Sequence, residues 1–342
     1  MNVRRQISTA ALAGSAVLGL LAVSACSTSG ATGKEDGKLA VTASFYPMQF
    51  LAEKIGGKHV SVTSLTAPGT EPHDLELSPK QTAQLGESDA IVYLKGVQPA
   101  VDEAIKQSGV KNVAEASSFT ELENHGTEVG EHGGHEEHAE HAGESKEEHA
   151  EHAGESKEEH AEHAGEESAL DPHIWLDPVK YAEAAKGVEK TLAAADPKHK
   201  ADYKKNADAL VEELHTLDKD FKDGLKNRKS DTFITSHSAF GYLAERYGLK
   251  QEAIGGLDPE SGDVSGSRIK ELQALAKKND VNTVFFETLA SPDVAKTLAK
   301  DVGAKTDVLD PIEGITKKSR GDDYIAVMES NLKALQKALG AK

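Results

Sequence analysis

The stretch KLAVTASFYPMQFLAEKIGG, residues 38–57, decides the fold class, because it reads as a strand followed directly by a helix. HVSVTSL (59–65) and AIVYL (90–94) return as strands, and helical spacing of apolar residues occurs at 79–85 and 99–105. Strands that alternate with helices indicate βαβ units around a mainly parallel sheet. The first part of the chain is therefore predicted to form an α/β lobe.

A second α/β lobe is predicted further along the chain. Between Tyr203 and Leu225, apolar residues recur every three or four positions, which indicates one long amphipathic helix. Strand patterns then return as TFIT, TVFF and TDVL, separated by helical segments. We predict two lobes, each a mainly parallel sheet flanked by helices, joined by one rigid helix with a ligand site in the cleft. The predicted divisions are an N-terminal lobe (38–120 and 168–200), a linking helix (201–229) and a C-terminal lobe (230–342).

The first 26 residues resemble the signal peptide of a bacterial lipoprotein. Basic residues precede an apolar stretch from Ala10 to Val23, and Cys26 follows small residues at the expected cleavage point. Cleavage would leave Cys26 as a lipid-bearing N-terminus on the outer face of the cell membrane, and residues 27–37 would be a flexible tether. A plain secreted protein is the alternative. Cys26 is the only cysteine, so no disulfide can form within one chain.

A His/Glu-rich tract, residues 121–167, interrupts the first lobe. It contains 17 Glu against Lys146 and Lys157, so −15 of the net charge of −18 is local and no basic patch for nucleic acid stands out. Such a composition cannot bury a core, and we predict disorder without metal. The tract is predicted to bind metal as an accessory element, although a solvated acidic linker is the alternative. The proposed accessory ligands are His125, His132, His135, His138, His141, His149, His152, His160 and His163.

Three further histidines stand apart in the chain. They are His73 in GTEPHDLELSP, His173 in DPHIWLDP and His237 in TSHSAFGYL. With Asp310 in LDPIEG, all four lie at predicted strand ends or adjoining loops, where sites in α/β sheets are found. Three imidazoles and one carboxylate favour Zn²⁺ over the harder Mn²⁺. Each histidine taken alone is more commonly a surface or core residue than a ligand.

These blocks, together with ETLASPDVAKTLA and GDDYIAVMESNL, resemble the successive blocks of zinc-uptake solute-binding proteins of ABC importers. The resemblance covers about residues 38–342 apart from the tract. It implies two lobes joined by a rigid helix, with one metal ion in the cleft. It also implies that His73, His173 and His237 are ligands and that Asp310 is the fourth. Glu287 competes with Asp310 as fourth ligand, or accepts a hydrogen bond from a ligand imidazole.

The resemblance predicts a receptor that captures Zn²⁺ outside the cell and delivers it to a membrane permease, and we expect this receptor to be a monomer. A receptor for manganese or for divalent metals in general, and a surface adhesin or metal store, remain as alternatives. A metal-dependent hydrolase would need an open coordination position, which four protein ligands would close. We therefore predict no enzymatic activity.

Overall fold

Two parallel sheets of four strands each organise the computed structural model, which describes residues 37–125, 170–257 and 264–341. The first sheet has the strand order β2-β1-β3-β4 and the second has β6-β5-β7-β8. The strands are β1 (Leu39–Ala43), β2 (Val60–Ser64), β3 (Ala90–Tyr93), β4 (Val113–Glu115), β5 (Thr232–Thr235), β6 (Lys250–Ala253), β7 (Thr283–Phe286) and β8 (Lys305–Val308). Every pairing is parallel, so the predicted fold class is confirmed.

Helices connect the strands and cover the sheets. They are α1 (Tyr46–Gly56), α2 (Pro79–Glu87), α3 (Pro99–Ser108), α4 (Pro178–Ala195), α5 (Lys200–Gly224), α6 (Gly241–Tyr247), α7 (Gly266–Lys278), α8 (Asp293–Val302) and α9 (Tyr324–Leu339). Local sequence fixes their starts. Ser78 and Gln81 form a reciprocal capping box at α2, and Asp177 accepts from the first-turn amides of α4, where Pro178 occupies a position that needs no amide hydrogen.

Helix α5 is the long connecting helix. It has 25 residues and buries one apolar face, from Tyr203 through Leu210 and Leu214 to Phe221. That face packs against α1 and α4 of the first lobe and against α9 of the second. One continuous core cluster accordingly extends from Val41 in β1 to Phe285 in β7. The two lobes are therefore fixed to each other by shared packing and not by a bare linker.

Several predicted features lie outside the described residues: the signal peptide, Cys26, nearly all of the tether and most of the His/Glu-rich tract. Among the residues that the structure describes, no helix is long and apolar enough to cross a membrane.

Candidate metal centre

Three histidines from separate loops meet between the two sheets. His73 lies in the loop between β2 and α2, His173 precedes a short 3-10 turn (Ile174–Leu176), and His237 follows β5. The ring centroids of His73 and His173 are 5.7 Å apart, those of His73 and His237 5.7 Å, and those of His173 and His237 5.0 Å. The loops at the carboxyl ends of parallel strands therefore bring the three predicted imidazoles together.

Glu313, in the loop after β8, completes the group. Its Oε1 lies 3.4 Å from His73 Nε2, 3.5 Å from His173 Nε2 and 3.6 Å from His237 Nδ1. One ligand atom from each of these four residues lies within 4.8 Å of the other three. We call His73, His173, His237 and Glu313 the cleft site.

The cleft site contains buried polar atoms that find no hydrogen-bond partner among the described residues. They are His73 Nε2, His173 Nε2 and both carboxylate oxygens of Glu313. The Glu313 side chain has no exposed surface, and that of His73 is only 7% exposed. Buried polar groups nearly always have a partner, because an unpaired one costs desolvation energy. Atoms from three imidazoles and one carboxylate that converge in this way fit a tetrahedral metal ion.

Two of the imidazoles are oriented by hydrogen bonds on the side away from the site. His173 Nδ1 donates to Asp171 Oδ1 over 2.8 Å, and His237 Nε2 donates to the carbonyl of Leu257 over 2.7 Å. These bonds leave His173 Nε2 without a partner, whereas His237 Nδ1 faces Glu313 and hydrogen-bonds Glu287 Oε2 at 3.4 Å. Such outer hydrogen bonds select the ring tautomer and raise the basicity of a metal-binding histidine.

Opposite charges stabilise one another in the cleft site. Burial would raise the pKa of Glu313, but the facing imidazoles of His237, His173 and His73 hold it well below its usual value. Burial would lower the pKa of His237, but Glu313 and Glu287 raise it to about 10. In the absence of metal, an anionic Glu313 thus lies beside a protonated His237.

The expectation of Asp310 as fourth ligand does not match this arrangement, because Asp310 is outside the four-residue group. Its Oδ1 accepts from the amide of Ile312 at 2.9 Å, and its Oδ2 accepts from the hydroxyl of Thr288 at 3.0 Å. Burial raises the pKa of Asp310 to about 6. Asp310 thereby shapes the turn that presents Glu313, three residues later in the same LDPIEG block.

Glu287 borders the cleft site. Its Oε2 is 3.4 Å from His237 Nδ1, and the side chain is only 3% exposed. Glu71 and Glu287 also form a carboxylate group with Glu313, each offering an oxygen within 4.8 Å of the others. Burial, and then the charge of Glu313, raise the pKa of Glu71 to about 8. The Glu71 side chain therefore lies against the acidic side of the cleft site.

Of the proposed accessory histidines, only His125 lies within the described residues. Its ring is held by Asp171 and Glu245 and packs against Tyr242. The other eight lie outside them: His132, His135, His138, His141, His149, His152, His160 and His163.

Comparison with known proteins gives consistent relatives. The zinc-binding lipoprotein AdcA of Streptococcus pneumoniae strain R6 is 35% identical over 307 residues, covering 88% of this chain and 56% of the relative. The high-affinity zinc uptake system protein ZnuA of Bacillus subtilis is 36% identical over 331 residues, covering 94% of this chain and 95% of the relative. The chain thus spans little more than half the length of the AdcA relatives that it matches.

A solved structure has the same architecture. The crystal structure of Zn(II)-bound AdcA from S. pneumoniae superimposes with a TM-score of 0.68 at 33% identity, covering 90% of this chain and 59% of that one. The family model described as zinc-uptake complex component A, periplasmic, matches residues 41–338. This match includes both lobes and all four residues of the cleft site. The chain therefore belongs to the family of periplasmic zinc-uptake components, as the resemblance of its sequence blocks predicted.

Proposed function

We propose that this protein is an extracytoplasmic receptor that binds one Zn²⁺ in the cleft site and delivers it to the permease of an ABC importer. The observation that carries this proposal is the set of buried, unpartnered ligand atoms on His73, His173 and Glu313, which lie beside Nδ1 of His237. The printed names of the relatives, a zinc-binding lipoprotein and a zinc uptake protein, support the same function.

The donor set favours zinc over manganese. Three imidazole nitrogens and one carboxylate match the four-coordinate preference of Zn²⁺, while Mn²⁺ prefers a larger set of oxygen ligands. The neighbouring carboxylates, Glu71 and Glu287, are the groups through which a harder ion would be bound. A receptor that accepts manganese equally well would have to draw one of them into the ligand set.

The closed ligand set also favours transport over catalysis. A catalytic zinc site keeps a coordination position for water or substrate, whereas four protein ligands fill a tetrahedron. His173, His237 and Glu313 are themselves buried, so an ion bound between them would be shielded from solvent on those sides. Receptor function needs only capture, protection from solvent and release to a partner, and the burial of the cleft site supports the first two of these steps.

Location and delivery would depend on Cys26 and on the His/Glu-rich tract. Lipid attachment at Cys26 would hold the receptor at the outer face of the cell membrane, beside the permease. The His/Glu-rich tract would raise the local concentration of zinc near the cleft. We propose that the protein acts as a monomer, since the cleft site takes all its ligands from one chain.

A competitive zinc titration of the full chain against chelators of graded affinity tests the proposal. Wild type should bind one zinc ion with high affinity and further ions, held by the tract, with lower affinity. His237→Ala should lose the tight ion, and His215→Ala, an exposed histidine on α5, should keep it. A tight ion that survives in His237→Ala would refute the cleft site as the receptor site. If wild type binds only weakly held ions, the metal-store alternative is favoured. If it binds Mn²⁺ as tightly as Zn²⁺, the broad-metal alternative is favoured.

A further inference from the structure

We propose that Glu123, His125 and Glu245 form a second divalent-metal site, at the point where the His/Glu-rich tract leaves the first lobe. One ligand atom from each of these residues lies within 4.8 Å of the other two. The group shares no ligand with the cleft site. We call it the tract-base site.

His125 is held in a defined position and is not part of a free chain end. Its ring contacts the Tyr242 ring at a centroid distance of 4.2 Å, and its side chain is only 12% exposed. Gly241 makes this position accessible, because a β-carbon there would lie 2.4 Å from the Cβ of His125. The start of α6 is therefore shaped to receive this imidazole.

Asp171 orients the imidazole for metal binding. Its Oδ2 accepts from His125 Nδ1 over 2.8 Å, and the Asp171 side chain is completely buried. A carboxylate on one nitrogen of a histidine fixes the tautomer and directs the other nitrogen to the metal. That other nitrogen, Nε2, lies 2.8 Å from Glu245 Oε2 and 3.9 Å from Glu123 Oε2.

These separations are close to those that a zinc ion requires. Zinc–ligand distances of about 2.0–2.2 Å place two ligands of a tetrahedron roughly 3.3–3.5 Å apart. The Glu245 contact must widen by roughly half an ångström, and its side chain is 61% exposed and free to move. The ion would occupy the position of the proton between Nε2 and Glu245, and that proton would leave to solvent.

The site is open, in contrast to the cleft site. Glu123 and Glu245 line a cavity of about 350 Å³ together with Lys180 and Tyr242. Lys180 Nζ pairs with Glu123 Oε1 at 2.5 Å, which leaves Oε2 for the metal. Three protein ligands with water in the remaining position should bind an ion more weakly, and exchange it faster, than four buried ligands.

The tract-base site is linked directly to the cleft site through Asp171. The other oxygen of Asp171, Oδ1, accepts from His173 Nδ1, so one buried carboxylate orients a ligand of each site. The Asp171 amide also donates to the carbonyl of Glu123 over 2.9 Å, joining the two chain segments that flank the tract. A role in passing ions from the tract to the cleft rests on the proposed function; the existence of the site does not.

Zinc-edge anomalous diffraction from crystals of the full chain tests the proposal, with zinc in excess over both sites. Wild type should show an anomalous peak in the cleft and a second peak bonded to His125 Nε2. A double variant, Glu123→Gln with Glu245→Gln, should lose the second peak and keep the cleft peak. Glu183→Gln is the matched control, because Glu183 lines the same cavity without contacting His125.

A competitive zinc titration of the same proteins in solution counts the ions. The double variant should bind one ion fewer than wild type and Glu183→Gln, with the cleft ion unchanged. A cleft peak without a second peak at His125 in wild type would overturn the proposal, as would a second peak that persists in the double variant. Absence of the cleft peak with the second peak present would instead refute the proposed function alone.

Discussion

The indole nitrogen of Trp175 donates a hydrogen bond of 2.6 Å to the carbonyl of Pro311. Trp175 follows His173 by two residues, and Pro311 precedes Glu313 by two. This bond therefore joins the first-lobe loop that carries one cleft-site residue to the second-lobe loop that carries another. The Tyr324 hydroxyl donates to the carbonyl of Trp175 over 2.5 Å. The Phe45 ring packs edge-to-face against the indole, with the ring centroids 5.1 Å apart. These buried contacts therefore fix the position of Glu313 relative to His173.

Replacing Trp175 with Phe should destabilise the protein and weaken zinc binding together. The substitution leaves the buried Pro311 carbonyl without its donor, which costs about 1–3 kcal/mol, and it adds the loss of indole packing. Thermal unfolding with and without zinc measures the first effect and competitive titration the second. Val294→Ala, at a position 46% exposed, is the control and should change neither. Unchanged zinc affinity in a destabilised Trp175→Phe protein would show that this bond does not position Glu313.

Two carboxylates in the LDPIEG block should behave differently. Loss of an outer hydrogen-bond partner lowers metal affinity by about 10–100-fold. Glu313→Gln removes the anionic ligand itself, so zinc affinity should fall by more than that. Asp310→Asn keeps an oxygen for the Ile312 amide and should retain the tight ion. Titration of both variants against wild type compares them directly. The reverse order of effects would restore Asp310 as the ligand.

Asp310 should matter for stability. Ile312 adopts a φ of +62°, a left-handed conformation that is unfavourable for a β-branched residue, and the Asp310 carboxylate holds its amide. Asp310→Ala should therefore lower the free energy of unfolding by about 1–3 kcal/mol, with Asp310→Asn close to wild type. Chemical denaturation of the metal-free proteins gives this difference. Equal losses in the two variants would indicate that the charge of Asp310, and not its acceptor oxygen, is required.

Zinc binding should release a proton near neutral pH. The pKa of His237 is raised to about 10 in the metal-free site, above the ordinary value of 6.5, so the ring is protonated at pH 7.5. Nδ1 must lose that proton before it can bind the ion, so affinity should rise by about tenfold per pH unit from 6.5 to 8. Calorimetry in buffers of different ionisation enthalpy counts the released protons. Zinc affinity that does not change with pH between 6.5 and 8, or a count of released protons near zero, would contradict a protonated His237 in the metal-free site.

The lobes should close little when zinc binds. Helix α5 packs on both lobes through one continuous apolar face, and the Trp175–Pro311 bond already spans the cleft. Small-angle scattering of metal-free and zinc-bound protein should show no resolvable compaction. A clear decrease in the radius of gyration on zinc binding would show that the two lobes move towards each other despite their shared core.

The elements that the sequence predicts well are those with strong local patterns. Residues 38–57 contain β1 and α1, and the apolar spacing from Tyr203 to Leu225 reproduces the buried face of α5. Strand β6, with the sequence KQEA, was missed because it is short, polar and paired only at the edge of its sheet. Its register with β5 is a tertiary property that local patterning does not encode.

The histidines of the cleft site could be proposed from their sequence contexts, but the carboxylate could not be chosen. Asp310 and Glu313 lie three residues apart in one block, and both are buried. The left-handed turn at Ile312 decides between them, because it directs Asp310 to backbone and Thr288 partners and Glu313 to the imidazoles. The tract-base site depends on Glu245, 120 residues from His125, so no spacing along the chain indicates it.

The most direct test of the cleft site is a crystal structure of the zinc-bound protein. We predict one ion at about 2.0–2.2 Å from His73 Nε2, His173 Nε2, His237 Nδ1 and a carboxylate oxygen of Glu313. Asp310 should keep its bonds to Ile312 and Thr288. An ion bound through Asp310 or Glu287 in place of Glu313, or no ion between the three imidazoles, would contradict this set of ligands.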